Sequence, residues 1–272
     1  MAKSLHSAGF FKCGMPYNKL SGGPKTLVIF QGLVFVNRPM SGFMAKQFPK
    51  MYGSLEKDYT IYVVNRKPGM TEGMTMTDIA NEYADMVREE FGGPVDVLGI
   101  STGGSLVQHF AADHPELVRK LVIHSAAHTL NKNAKKGQML VAKLARQKKW
   151  RKAYAALMGV SLQERGIKRL LLKSLYGFIA MFGGILFGKP KQHPFDVAVM
   201  VEAEDSHAFR DRLHEITAPT LLIAGAKDPF YSAELFRETA EGIPECKFVL
   251  YENMGHPAMG KEFKAELKAF LT

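Results

Sequence analysis

Short apolar runs typical of buried strands alternate with helical stretches along most of the chain, and this alternation limits the fold more than any other feature. Thr26–Phe30 is the first such run. A strict succession of strands and helices indicates an α/β protein with a mostly parallel central sheet and helices on both faces. The other runs predicted to be strands are Ile61–Val64, Val95–Leu98, Lys120–Ile123, Thr220–Ala224 and Lys247–Tyr251.

Helical periodicity fills the intervals between these runs. Met44–Leu55 is compatible with a helix that Pro49 interrupts. Thr77 is predicted to be the N-cap of a helix that Gly92 ends, because threonine favours helix starts and glycine favours helix ends. Two further helices are predicted at Ser105–Ala112 and from Phe263 to Leu271.

One connection breaks the alternation. It runs from Ala126 to Thr217, which is 92 residues where a few are usual. We therefore expect a core formed by residues 1–126 and 217–272, with a subdomain of three or four helices inserted at 127–216. Its apolar residues at helical spacings are Met139, Leu140, Leu144, Tyr154, Leu157 and part of Leu170–Gly188.

The insertion is strongly basic. Between Asn131 and Lys191 there are 15 Lys and Arg and one acid, a local charge of +14 in a chain of net charge +10. Such a surface attracts anionic lipid, acyl-phosphate or CoA-type groups and nucleic acid. Nucleic acid is not expected, because the segment has no stripe of aromatic residues on which bases would stack. We expect peripheral contact with an anionic membrane.

An apolar stretch, Tyr176–Phe187, lies inside the basic segment among 15 uncharged residues. A helix of that length reaches about 22 Å, which is short of the roughly 30 Å of a bilayer core. Packing against the main domain and a membrane-facing or acyl-binding surface both fit this stretch.

Cofactor and metal motifs are missing from the sequence. Cys13 and Cys246 are far apart and have no metal-ligand spacing, and no phosphate-binding glycine motif stands in a suitable context. We therefore expect neither a cofactor nor a metal. Met1–Phe10 has no apolar run of the signal-peptide type, so a cytoplasmic location is expected.

Gly99-Ile100-Ser101-Thr102-Gly103 follows the Val95–Leu98 run and precedes a predicted helix. This is the G-x-S-x-G pattern of a nucleophile elbow, in which a sharp turn exposes the serine hydroxyl above the sheet. Its glycines leave room for the neighbouring strand and helix. The alternative is a glycine-rich helix start with Ser101 as its N-cap.

A serine hydroxyl needs a base to remove its proton and an acid to orient that base. Asp228 follows the Thr220–Ala224 run, and His256 follows the Lys247–Tyr251 run. The order Ser, Asp, His fits an elbow of this kind. Taken singly, Asp228 also fits a turn before a proline, and His256 also fits a helix cap.

These residues resemble those of the α/β-hydrolase superfamily, and the resemblance covers residues 11–270 apart from the insertion. His114-Pro115-Glu116 before a strand is also typical of such enzymes. The resemblance implies an α/β-hydrolase fold in which Ser101 is the nucleophile, His256 the general base and then acid, and Asp228 the orienting acid. The insertion then corresponds to a cap.

An oxyanion hole needs two backbone N–H groups. Thr102, after the nucleophile, supplies one candidate, and the resemblance makes Leu33 the second, since it follows Gln31-Gly32 at the end of the first long strand. The family usually has histidine where this chain has Gln31. Because the donors are backbone groups, the hole is compatible with glutamine, which could instead contact substrate.

Other polar residues have less specific interpretations. His124 and His128 end the strand before the insertion and are interpreted as structural or solvent-facing, with pocket lining as the alternative. Glu202, Glu204 and Asp205 are interpreted as an acidic helix end, with a substitute catalytic acid as the alternative.

The sequence thus predicts a serine hydrolase that cleaves a small-molecule carboxylic ester, with an apolar or acyl-chain substrate, through an acyl-enzyme. Hydrolysis of a lactone, thioester, amide or carbon–carbon bond, acyl transfer and perhydrolysis use the same residues. A slow or non-catalytic ligand receptor on the same fold is the alternative from a different class.

Overall fold

The computed structural model describes residues 6–160 and 192–272, and a single mixed sheet forms its centre. Its strands are β1 (His6–Phe10), β2 (Pro16–Leu20), β3 (Lys25–Phe30), β4 (Tyr59–Val64), β5 (Val95–Ile100), β6 (Val118–His124), β7 (Thr220–Gly225) and β8 (Cys246–Tyr251). Their spatial order is β1-β2-β4-β3-β5-β6-β7-β8. β2 is antiparallel to β1 and β4, and all other neighbours are parallel. The predicted mostly parallel sheet is confirmed.

Helices cover both faces of this sheet. The described helices are, in chain order, α1 (Gly42–Tyr52), α2 (Met76–Phe91), α3 (Thr102–Asp113), α4 (Lys132–Arg146), α5 (Trp150–Val160), α6 (Asp196–Asp205), α7 (Ala233–Gly242) and α8 (Lys261–Leu271). Of these, α4, α5 and α6 belong to the segment between β6 and β7. Val28 and Phe30 of β3 pack with α2 and α3, whereas Leu27 and Ile29 pack with α1 and α8. Alternate residues of β3 thus enter two different cores, which explains its continuous apolar run.

The hairpin of β1 and β2 precedes the first strand that the sequence predicts. β2 reads Pro-Tyr-Asn-Lys-Leu and buries alternate residues. Asn18 is itself buried, and its side chain bridges both polar groups of the Met40 backbone, at 2.6 Å to N and 3.1 Å to O. A strand with buried polar positions lacks the apolar signal of β3.

Two helix starts differ from the prediction. The N-cap of α2 is Thr75, because its Oγ1 accepts from Asp78 N at 3.1 Å while Asp78 Oδ2 accepts from Thr75 N at 2.8 Å. This reciprocal capping box makes the Thr77 prediction wrong. α3 begins at Thr102, directly after the serine turn, rather than at Ser105.

The inserted segment packs through its inner faces. Phe35 from the core stacks on Tyr154 of α5 at 3.9 Å between ring centres, and Val141 and Val197 join the same cluster. Met139 and Leu140 on α4 are exposed instead, at 38% and 47%. The Tyr176–Phe187 stretch lies outside the described residues, and the division at 127–216 stays a prediction.

Two buried acids, Asp196 and Glu204, join α6 to the core through hydrogen bonds. Asp196 accepts hydrogen bonds from Asn37 Nδ2, Gly69 N and Met70 N, each at 3.0 Å. Glu204, at the other end, contacts the start of α3. Because each carboxylate has several donors, both ends of α6 are fixed in position.

A chain of side chains joins α2, α3 and the segment after α6. His207 Nε2 donates to Ala127 O at 3.1 Å, so its Nδ1 accepts from His109 Nε2 at 3.0 Å. His109 Nδ1 then accepts from the Thr77 hydroxyl at 3.2 Å. Each ring donates once and accepts once, so both are neutral. Burial lowers the pKa of His109 to about 4 and that of His207 to about 3.

Within residues 6–160 and 192–272, the structure has no helix that is both long and apolar enough to cross a bilayer.

Candidate active site

Ser101 occupies the sharp turn between β5 and α3. Its backbone has φ 55° and ψ −126°, a region that L-residues with side chains rarely adopt. A Cβ on Gly99 would lie 2.2 Å from Gly103 O, and a Cβ on Gly103 would lie 2.1 Å from Phe30 O. Only glycine fits at both positions, so the pattern of residues around the serine follows from close backbone approach.

The structure brings Ser101, Asp228 and His256 together at the carboxyl ends of β5, β7 and β8, respectively. His256 Nε2 lies 2.8 Å from Ser101 Oγ, and His256 Nδ1 lies 2.6 Å from Asp228 Oδ2. The buried carboxylate also accepts from the backbone N–H groups of Phe230 at 2.8 Å and Tyr231 at 3.2 Å. Since the carboxylate accepts, Nδ1 donates and Nε2 is left to accept the serine proton.

The two candidate oxyanion donors flank the serine. Thr102 begins α3, and Leu33 follows Gly32 in the loop after β3; all three residues line the cavity beside Ser101. A Cβ on Gly32 would come within 3.2 Å of Ser101 Cβ, so glycine allows the loop to approach the nucleophile. Gln31 lines the same cavity.

The cavity beside Ser101 and His256 has a volume of about 520 Å³. Among the described residues its lining contains no Asp, Glu, Lys or Arg, and it continues into a smaller space of about 260 Å³ whose lining includes Arg38. Such a wall suits an uncharged, apolar group. The apolar lining includes Met40, Met44, Phe48, Leu157, Met158 and Phe230.

His124 and His128 have structural contacts. His124 is fully buried, stacks on Phe263 and donates from Nε2 to Ala258 O at 2.7 Å, and burial lowers its pKa to about 4. Ser125, which the sequence analysis missed, accepts from Ala258 N at 3.0 Å. These two contacts fix the backbone that follows His256. His128 instead contacts Thr239, away from the cavity lining.

The three acids at the end of α6 have different environments. Glu202 pairs with Arg146 at 2.6 Å, as expected of a partly exposed acid. Glu204 also lies in the last turn of α6, as the interpretation of an acidic helix end expects, but it has zero exposure and contacts the serine turn. The carboxylate that contacts His256 is that of Asp228, so none of these three acids takes the position of Asp228 beside the histidine.

Sequence reasoning also missed Arg66, which follows β4 and is 1% exposed. Its Nη1 donates to Gln31 O at 3.4 Å and to Gly32 O at 3.3 Å. A single arginine after a strand belongs to no motif, so only the folded structure shows that Arg66 contacts the loop after β3.

A search of curated proteins finds one informative relative. Pimeloyl-[acyl-carrier protein] methyl ester esterase of Chromobacterium violaceum is 27% identical over 188 residues, which cover 64% of this chain and 66% of that protein. The chain therefore matches slightly less than two thirds of that relative's length.

Solved structures resemble the chain over nearly all of its length. MGS-M2, an alpha/beta hydrolase enzyme from a Medee basin deep-sea metagenome library, has a TM-score of 0.74 at 17% identity, covering 97% of this chain and 96% of that one. A hydrolase from Pseudomonas aeruginosa has a TM-score of 0.73 at 18% identity, covering 100% and 99%. The enol-lactonase of Burkholderia xenovorans has a TM-score of 0.71 at 14% identity, covering 97% and 99%. At such identities these likenesses establish the fold alone.

A protein-family model provides the decisive match. The model for the alpha/beta hydrolase fold matches residues 55–262, which make up most of the chain and include the serine turn and both of its partners. With the sheet order and the structural neighbours in agreement, the chain belongs to the alpha/beta hydrolase family.

Proposed function

We propose that the protein is a serine hydrolase that cleaves carboxylic esters through an acyl-enzyme. The observation that carries this proposal is the continuous hydrogen-bonded chain from Ser101 Oγ through His256 to Asp228. An imidazole oriented by a buried carboxylate is the base that a serine nucleophile requires.

The reaction has two halves. Ser101 Oγ attacks the ester carbonyl carbon while its proton passes to His256 Nε2, and the N–H groups of Leu33 and Thr102 stabilise the oxyanion. His256 then protonates the departing alkoxide oxygen, and the acyl group remains on Ser101. A water molecule then gives a proton to His256 Nε2 and attacks the acyl carbon. The bond from that carbon to Ser101 Oγ breaks, His256 returns the proton to Oγ, and the carboxylic acid is released.

The substrate class follows from the cavity wall. A lining without charged groups among the described residues favours an uncharged, apolar acyl chain near the scissile bond, because burying a charge there would be costly. The esterase from Chromobacterium violaceum supports ester hydrolysis in general.

The test combines a fluorophosphonate probe with p-nitrophenyl esters of increasing acyl length. The wild type should be labelled at Ser101 and should prefer medium or long acyl chains. Ser101→Ala should lose labelling and reduce kcat by on the order of 10⁶, and Asp228→Asn should reduce kcat by about 10⁴ because the imidazole takes the wrong tautomer.

Ser54→Ala, at an exposed serine outside the cavity lining, is the matched control and should keep full activity. A folded Ser101→Ala variant that retains most activity would refute the mechanism. Labelling of the wild type without turnover of any ester or lactone would favour a ligand receptor instead.

We also propose peripheral contact with anionic membranes through α4 and α5. Residues 132–160 contain nine Lys and Arg and no acid. Met139 and Leu140 are exposed between Lys136 and Lys143, which are exposed too. Exposed apolar side chains flanked by lysines are the combination that binds at the interface of an anionic bilayer.

A further inference from the structure

Glu204 on α6 is a fully buried carboxylate behind the serine turn. Its Oε2 accepts from Thr102 Oγ1 at 2.8 Å, and its Oε1 accepts from Ser105 Oγ at 3.0 Å and from the Tyr231 hydroxyl at 3.3 Å. Burial raises its pKa, and these hydroxyl donors oppose the rise. The proposed ester reaction assigns this group no step, although it touches the elbow helix and the turn after Asp228.

Arg66 is the corresponding buried cation. Its Nη1 donates to Gln31 O and Gly32 O, while its Nε and Nη2 have no hydrogen-bond partner among the described residues. Burial lowers its pKa, and the carboxylates of Glu204 and Asp196 oppose that shift. Burial of an incompletely paired guanidinium lowers the stability of the fold. The contact of Arg66 with the Gln31–Gly32 loop after β3 therefore calls for a functional explanation.

Peptide geometry connects Arg66 to the oxyanion hole. In a trans peptide the carbonyl and the following N–H point in opposite directions. The Gly32–Leu33 peptide directs its carbonyl to Arg66, so the N–H of Leu33 points the other way, away from the guanidinium. Both residues line the cavity beside Ser101.

Glu204 acts on the other donor peptide. The N–H of Thr102 belongs to the peptide that links Ser101 to Thr102. The backbone of Ser101 is strained, with a φ of 55°. Relaxation of that strain would rotate this peptide and move its N–H. The Thr102 and Ser105 side chains, both bonded to Glu204, hold the first turn of α3 against such a rotation.

We propose that Glu204 and Arg66 are positioning residues that hold the two donor peptides of the oxyanion hole from behind. The inference rests on the proposed ester hydrolysis. Because the oxyanion exists only in the transition state and intermediates, loss of positioning lowers kcat and leaves KM nearly unchanged.

The main test compares Glu204→Gln and Thr102→Val with Asp96→Asn. All kcat values are counted per active site, titrated with a fluorophosphonate. Glu204→Gln and Thr102→Val should each lower kcat about tenfold with KM within about twofold, and the double variant should lose little more because both changes disrupt the same Thr102–Glu204 contact. Affinity for a trifluoromethyl ketone, which forms an oxyanion on Ser101, should fall by a similar factor.

Asp96→Asn is the matched control, because it changes a buried carboxylate that accepts from the Tyr59 hydroxyl at 2.6 Å near the start of β5, at the opposite end of that strand from the serine turn. It should lower Tm and keep kcat within about twofold. Arg66→Lys should lower kcat through the same loss of positioning, because a lysine does not reproduce the geometry of the guanidinium fork.

Each outcome has a defined consequence. An active wild type whose Glu204→Gln and Thr102→Val variants keep full kcat overturns this inference alone, and so does an Asp96→Asn variant that loses as much kcat as they do. If Glu204→Gln does not fold, Thr102→Val decides, since it removes one hydroxyl and preserves shape. A wild type that is neither labelled at Ser101 nor active on esters refutes the proposed function itself.

Discussion

Two acids of α6 are buried, whereas the bases of α4 and α5 lie mostly at the surface. The buried acids are Asp196 and Glu204, at 6% and 0% exposure. In the sequence, the end of α6 is a cluster of acids, and α4 and α5 carry a run of bases. The difference shows that a charge run does not by itself predict burial: a carboxylate is buried where distant parts of the chain supply donors for it.

The largest expected effect concerns the buried acids. Asp196→Ala removes the acceptor of three donors, Asn37 Nδ2 and the N–H groups of Gly69 and Met70. Leaving buried donors unpaired should lower the free energy of unfolding by about 3 kcal/mol, measured by urea denaturation.

Asp205→Ala, on the last residue of α6 and only partly buried, is the control and should change stability by less than about 0.5 kcal/mol. Equal losses in the two variants would mean that burial of the acid does not matter, and the contrast between buried and exposed charges would fail.

A smaller effect should follow pH at the end of α6. Burial lowers the pKa of His207 to about 3 and that of His109 to about 4, from the ordinary 6.5. Between these lowered pKa values and 6.5, the unfolded chain therefore binds more protons than the folded chain. Stability from this pair is complete above pH 6.5 and is lost as pH falls towards 4. From pH 7 to pH 5 one such histidine contributes a loss on the order of 2 kcal/mol.

His207→Gln should flatten this pH dependence, measured by urea denaturation at each pH. The exposed His214 is the control, and His214→Gln should leave the slope as in the wild type. A slope unaffected by His207→Gln would show that the histidine chain is not the source of acid sensitivity.

The smallest effect on the enzyme should come from the exposed bases. Changing Lys132, Lys136 and Lys143 together to Glu should leave ester turnover within about twofold, yet abolish sedimentation with anionic vesicles at low salt, since each lysine contributes about 1 kcal/mol near such a surface. High salt should weaken wild-type sedimentation, because the Debye length falls with ionic strength.

Changing Lys57, Lys261 and Lys268 to Glu is the matched control, with the same change in net charge on exposed lysines outside the insertion. If both triple variants bind equally, total charge explains the attraction. Wild-type protein that ignores anionic vesicles at low salt would end the membrane proposal.

Local patterns predicted the features that depend on local sequence. β3 has an apolar run because both of its faces are buried, and the serine turn has glycines because side chains would collide there. Thr75 and Asp78 also carried a readable capping signal, T-x-x-D, which the choice of Thr77 overlooked.

Other features depend on residues far apart in the chain. Glu204 lies 102 residues from Thr102, and Arg66 lies 34 residues from the Gly32 carbonyl that it holds. Neither residue stands in a motif, so their partners become evident only when the chain is folded. Long-range polar pairing between residues that stand in no motif is thus the part of the site that periodicity and motif analysis cannot supply.

At Ser101 the stability of the backbone conformation and the side chain that the proposed reaction needs call for different residues. Glycine would adopt φ 55° at less cost than any residue with a side chain, so stability alone favours glycine at position 101. Only a residue with a hydroxyl can act as the nucleophile there. Selection for a more stable protein without selection for turnover would therefore favour loss of the serine, so the residue most important for activity is among the least suited to its own backbone.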